Sequence, residues 1–162
     1  MKIASAEYET LLIEVQGALG PERKPLLFGI DGKAGVGKTS LSNWLAWQLG
    51  MPAIHLDLFL VQTVVAGPVA RRVADLGRCM TARGDRPIIV EGVLLLEALD
   101  EVGRAPDFLI FVDEQPSARV RPVDSDLIDT REFSLANQVD RYFSRRSPAD
   151  RADFRLNGYA AR

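Results

Sequence analysis

The sequence predicts an α/β fold in which helices cover both faces of a parallel sheet. Three observations carry that expectation. Short apolar runs alternate along the chain with longer runs of helical periodicity. One strand-to-helix junction, between Leu26 and Gly50, holds the glycine-rich string "GKAGVGKT". The chain has 162 residues and is 47% hydrophobic, which suits one domain over residues 1–162 with a core of its own.

The elements are expected in the following order. Residues 4–19 place Tyr8, Leu11, Leu12, Val15 and Leu19 at helical spacing, and Gly20-Pro21 ends the run. This gives an amphipathic amino-terminal helix, within residues 1–20, leaning on the domain. "PLLFGI" (25–30) reads as a short buried strand, and Lys38 to Leu49 as a helix closed by Gly50. Its Leu41, Trp44, Leu45 and Leu49 share one face, which is core. "AIHL" (53–56) is a second strand. Residues 67–83 look helical, "PIIVEG" (87–92) is a third strand and "DFLIFV" (107–112) a fourth. A helix can start at Pro116, and "DSDLIDT" (124–130) is a polar loop. Residues 132–146 allow a further helix through Phe133, Leu135, Val139, Tyr142 and Phe143, stopped by Ser147-Pro148, and residues 152–158 supply a last short strand.

Composition removes several classes of function. Twenty basic against twenty-two acidic residues leave a net charge of -2, with no clustered positive surface for nucleic acid. The single cysteine, Cys79, permits no internal disulfide and favours a reducing, cytoplasmic setting; without an activating neighbour in sequence it reads as inert. Glu7, Glu9 and Glu14 break up the apolar residues of the amino terminus, unlike a signal peptide, and no apolar run is long enough to span a bilayer. The amino-terminal helix is a surface through which two copies could pair as a homodimer.

The glycine loop points to chemistry. Gly32, Gly37, Lys38 and Thr39 satisfy the G-x-x-x-x-G-K-[ST] spacing between a strand and a helix. Backbone N–H groups of Gly32 to Ser40, through Lys33, Ala34, Gly35, Val36 and Gly37, can turn around phosphate oxygens at the positive end of the following helix. Lys38 is placed to reach the terminal phosphates, and Thr39 to offer its hydroxyl to a magnesium ion held with them. Lys33, in mid-loop, is expected to face solvent.

Two carboxylates follow at strand ends. Asp57, just past the second strand, can accept a proton from an acceptor hydroxyl, hold magnesium through water, or cap a turn. Glu91 ends the third strand after four apolar residues, a costly place for an unpaired acid. It suits a magnesium shell or a salt bridge to Lys38. Asp31 is read as a partner of Lys33 or a turn cap, and His55, the one histidine, as core or rim packing in preference to acid-base work.

In that order, "FGIDGKAGVGKTSL", "HLDLF" and "IIVEG" resemble the phosphate loop, D-x-F segment and E-G strand end of the uridine kinase-like P-loop kinases, relatives of phosphoribulokinase and bacterial pantothenate kinase. The resemblance covers roughly residues 25–122 and weakly the tail. It implies a P-loop three-layer sandwich with sheet order 2-3-1-4-5, ATP as nucleotide with Mg2+, and transfer of the terminal phosphoryl group to a hydroxyl of a small-molecule acceptor. Asp57 would be the base, Glu91 a magnesium-side carboxylate, and Arg119 and Arg121 the charges that neutralise the moving phosphoryl group. The chain departs from the family in the short stretch between Asp57 and Glu91, in Leu60 where an aromatic is usual, and in Pro122 after Arg121. Nucleoside specificity is therefore not implied, and Arg131, Arg141, Arg145 or Arg146 are alternative phosphate contacts. The competing reading is an ATP-binding or hydrolysing switch with no small-molecule acceptor.

Overall fold

The computed structural model describes residues 6–61, 67–114 and 134–157. The helix expected from Pro116, the polar loop at 124–130, and Arg119, Arg121 and Arg131 lie outside them. Five strands form one parallel sheet: β1 (Leu27–Gly32), β2 (Ala53–His55), β3 (Ile88–Glu91), β4 (Phe108–Asp113) and β5 (Phe154–Asn157). Their order is β2-β3-β1-β4-β5, the order expected, with helices on both faces.

Alternation along the strands divides the core. Phe28, Ile30, Ile89, Ile110 and Val112 face α1 (Ala6–Leu19) and α2 (Lys38–Leu49). From α1 come Tyr8, Leu11, Val15 and Leu19, so the predicted apolar stripe is spent on the sheet. From α2 come Leu41, Leu45 and Leu49. Each of these leucines is nearly or fully buried, worth about 1.5–3 kcal/mol of transfer apiece. On the opposite face Leu27, Ile88, Val90 and Leu109 meet α3 (Val73–Ala82), α4 (Leu95–Glu101) and α5 (Leu135–Arg146).

Three differences from the sequence reading bear on the site. Strand β1 runs on to Gly32, so Asp31 lies in the strand and not in the loop. Helix α3 begins at Val73, not at 67. Residues 67–72 instead run back along the turn after β2, with Val61 N bonded to Ala70 O and Arg72 N to Phe59 O. Pro68, which has no amide hydrogen and restricts its predecessor, disfavours the helix there. Helix α4 was not expected at all. It is seven residues long and follows Leu94 in the left-handed conformation, with no side-chain cap, so no local signal announces it. It is held by α5: the Tyr142 hydroxyl accepts from Leu96 N, and Arg145 and Arg146 pair with Glu97 and Asp100.

A short helical turn, α6 (Pro148–Arg151), joins α5 to β5. The start of α5 follows the usual rule: the Ser134 hydroxyl accepts from Asn137 N at 3.2 Å.

Candidate functional site

In an open parallel sheet the carboxyl ends of the strands form the ligand crevice. Here β1, β2 and β3 end side by side, with Ile30 and His55 both in register with Glu91. The glycine loop leaves β1 at that edge. Gly37 precedes α2 with φ 98°, a left-handed conformation that a side chain would strain, and no side chain caps the helix. The amides at the start of α2 are thus left to whatever enters from the cavity. Gly32 is required for a second reason: a Cβ there would stand 2.6 Å from Val112 O.

The Lys38 ammonium is buried beneath the loop. It donates to Gly32 O at 2.9 Å and to Lys33 O. Burial lowers its pKa, against the opposing influence of Glu91, Asp31 and Asp57. Glu91, almost fully buried, does not take the salt bridge to Lys38 that was one of its alternatives. Its Oε1 accepts from Thr39 Oγ1 at 3.0 Å and lies 2.7 Å from His55 Nδ1. His55 thus does more than pack, since its imidazole is one of the two partners that make a buried carboxylate tolerable. The residue that sequence reasoning placed at the rim was undervalued because its partner lies 36 positions away and only the strand register brings them together.

Asp57 sits in a single 3-10 turn, Leu56–Phe59, directly after β2. Its carboxylate is exposed to the cavity, and among the described residues no hydrogen bond or ion pair to it is found, so it is not the cap of that turn. The cavity has a volume of about 690 Å³. Its polar end is made by Gly35, Gly37, Lys38, Thr39, Asp57 and Glu91. Ala34 and Ser40 also line it, whereas Gly32, Lys33 and Val36 do not. Lys33 faces solvent and pairs with Glu114 at 3.1 Å, and Val36 belongs to the core.

Asp31 corrects the sequence reading. It neither meets Lys33 nor caps a loop turn; it is fully buried, accepts from the Tyr142 hydroxyl through Oδ2, and accepts from Gly32 N at 2.7 Å. Desolvation pushes its pKa up to about 6, against the Tyr142 hydrogen bond, the Gly32 amide and the charge of Lys38. The signal for this was period two: Asp31 shares a strand face with Leu27 and Gly29, toward α4 and α5. The alternative phosphate contacts on α5 are also corrected in part. Arg145 and Arg146 are engaged by Glu97 and Asp100. Cys79 is exposed on α3 with no disulfide partner.

Oxygen donors set beside a ring of backbone amides can hold a phosphorylated ligand and a hard cation. Among the described residues no cluster of three acidic, histidine or cysteine side chains could hold a metal by itself. Thr39 and Glu91 instead suit a small cation that takes most of its ligands from water and phosphate.

No family model matches the sequence, and no curated protein matches it either. Among solved structures the chain is similar to a possible uridine kinase from Bacillus stearothermophilus, with a TM-score of 0.66 and 18% identity over 93% of this chain and 97% of that one. It also aligns with a shikimate kinase from Bacteroides thetaiotaomicron (TM-score 0.39, 17% identity, 82% of this chain and 86% of that). A gluconokinase from Sinorhizobium meliloti 1021 aligns with a TM-score of 0.45 and 19% identity, over 86% of this chain and 85% of that. The chain shares the P-loop three-layer fold of that possible uridine kinase, with its parallel sheet in the order β2-β3-β1-β4-β5.

Proposed function

We propose that the chain is an ATP-dependent kinase of uridine kinase type, a single catalytic unit of the reducing cytoplasm that phosphorylates a hydroxyl of a small molecule. The observation that supports this most is the position of Asp57. It is an exposed carboxylate without a structural partner among the described residues, on the same cavity as the phosphate loop.

The residues present fit the nucleotide and its metal. The open amides of the loop and of the start of α2, from Gly35 to Ser40, receive the phosphates, and Lys38 sets a buried positive charge beneath them. Thr39 and Glu91 hold the magnesium ion, Asp57 adding to its shell through water. When bound, that ion neutralises charge on the phosphate oxygens. His55 keeps the Glu91 carboxylate turned toward Thr39. The acceptor hydroxyl gives its proton to Asp57 while its oxygen forms the new bond to the terminal phosphorus, and the bond from that phosphorus to the bridging oxygen breaks, releasing ADP. Arg119 and Arg121, outside the described residues, are assigned to the charge of the transferred group.

Asp57→Asn tests the assignment, because asparagine preserves the shape and removes the base. ATP affinity should stay within about twofold, and acceptor-dependent ADP release should fall by about a hundredfold to ten-thousandfold. An unchanged rate would sink the role of Asp57. Equal losses of affinity and rate would make it chiefly a magnesium residue. If no hydroxyl compound stimulates ADP release from the parent protein, the switch reading replaces the kinase.

A further inference from the structure

Beyond the phosphate loop the cavity changes character. Its far wall is built from Leu60, Val61, Pro68, Val69, Val93 and Leu135. Leu60, Val61 and Leu135 are 41%, 42% and 46% exposed, and what is informative is that they line one cavity together. They are not loosely placed. Leu60 is bridged to Arg71 across an antiparallel pair, Val61 N donates to Ala70 O, and Leu135 opens α5 one residue after its cap. The Gln138 amide on the same wall is turned to backbone: its Oε1 accepts from Val69 N at 2.7 Å. It holds the wall in place more than it offers itself to a ligand. Arg71, which could have brought a positive charge, points instead to Glu101 and is buried.

The sequence agrees with the geometry. Residues 58–61 and 67–70, the described parts of the stretch that lines the wall, carry no charge, in a chain whose residues are 26% charged. Among the described residues the only formal charges on the cavity are Lys38, already bonded to two loop carbonyls, and the carboxylates of Asp57 and Glu91. Among the described residues, an acceptor carrying its own carboxylate or phosphate would meet apolar surface on one side and two acids on the other, and the arginines assigned above are reserved for the transferred group. A nucleoside would bring amide and hydroxyl groups to a wall whose one polar side chain is committed to Val69.

We infer that the acceptor is a neutral alcohol with an apolar body, its hydroxyl directed at Asp57 and its hydrocarbon part laid against Leu60, Val61, Val69 and Leu135. This rests on the kinase reading only in naming the occupant an acceptor; the binding preference of the wall can be tested without turnover. The occupant is defined by its chemistry: uncharged, aliphatic or alicyclic, with one hydroxyl at its end.

The probes are cyclohexylmethanol, its charged counterpart trans-4-(hydroxymethyl)cyclohexanecarboxylate, and uridine. Affinity is measured by calorimetry on the protein loaded with magnesium and a non-hydrolysable ATP analogue, and ADP release is measured separately with ATP. Cyclohexylmethanol should bind at least about tenfold more tightly than either other compound. Leu135→Asp should abolish that preference by weakening the alcohol at least about tenfold. The change is made at a half-exposed first helical position, where an acid is favourable to the helix, so folding is not at stake. Leu135→Met should retain the preference. Equal or tighter binding of the carboxylate or of uridine overturns the inference, as does an unaltered affinity in Leu135→Asp or the failure of all three compounds to bind. Tight binding of the alcohol while neither it nor any other hydroxyl compound drives ADP release would uphold the preference of the wall and remove the kinase reading. ADP release driven by uridine alone would do the reverse.

Discussion

Replacing Asp31 by asparagine removes a titration that the fold has moved. The carboxyl is fully buried, and desolvation raises its pKa from 3.8 to about 6. Between those two values the folded protein holds a proton that the unfolded chain has already released, so this group makes stability fall as pH rises. The contribution is fully present below about pH 4 and is lost as pH passes through about 6. At 1.36 kcal/mol per pH unit, the shift corresponds to about 3 kcal/mol. Asparagine is neutral throughout, and its carbonyl can still accept from Gly32 N. Urea unfolding of parent and Asp31→Asn at pH 4, 5, 6 and 7 therefore gives the answer by difference, since the other carboxylates titrate alike in both proteins. The stability of the parent relative to the variant should be greater at pH 4 than at pH 7 by about 3 kcal/mol. Tyr142→Phe, which takes away the strongest bond opposing desolvation, should move the same loss to higher pH. A parent-minus-variant difference that does not change with pH would refute the reasoning, because a hydrogen-bonding role alone carries no pH dependence in this window.

Two further outcomes concern the nucleotide. Lys38→Ala should weaken ATP at least about a hundredfold by direct titration, since charge-assisted bonds to phosphate contribute about 1.5–3 kcal/mol each; ATP binding like the parent's would displace the site from the loop. Thr39→Val should leave metal-free ATP affinity near the parent value and reduce the gain from magnesium by about tenfold. The same gain in both proteins would exclude the hydroxyl as a metal ligand.

The legible parts of the fold were those with a local cause. The strand order came with the resemblance, while the strands themselves showed as apolar runs and α1 as a stripe at helical spacing. The phosphate loop was legible because its glycines answer to backbone geometry that only a few sequences satisfy. Helix α4 was not, because the groups that stabilise it, Tyr142, Arg145 and Arg146, are on α5 some 46 to 48 positions away. Asp31 was misread for a related reason. Ending β1 two residues early turned a buried strand residue into a loop residue, and its hydroxyl partner lies 111 positions on. The His55–Glu91 pair likewise depends on parallel register, which no single run of sequence announces.

One helix gathers most of what was illegible. Along α5, Leu135 and Gln138 belong to the apolar wall of the cavity, Tyr142 ties the helix to Asp31 at the root of the phosphate loop, and Arg145 and Arg146 tie it to α4. These side chains span three turns, so a rigid helix fixes the distance between the wall and the loop. The Tyr142 hydroxyl has both its roles filled, accepting from Leu96 N and donating to Asp31, which sets the helix in rotation as well as depth. A buried hydroxyl left with one of those partners missing would cost about 1–3 kcal/mol. That cost resists any rotation of α5 that would carry Leu135 off the cavity. The acid at the end of β1 therefore has a physical reason to be there without touching nucleotide: it anchors the helix that shapes the other half of the site.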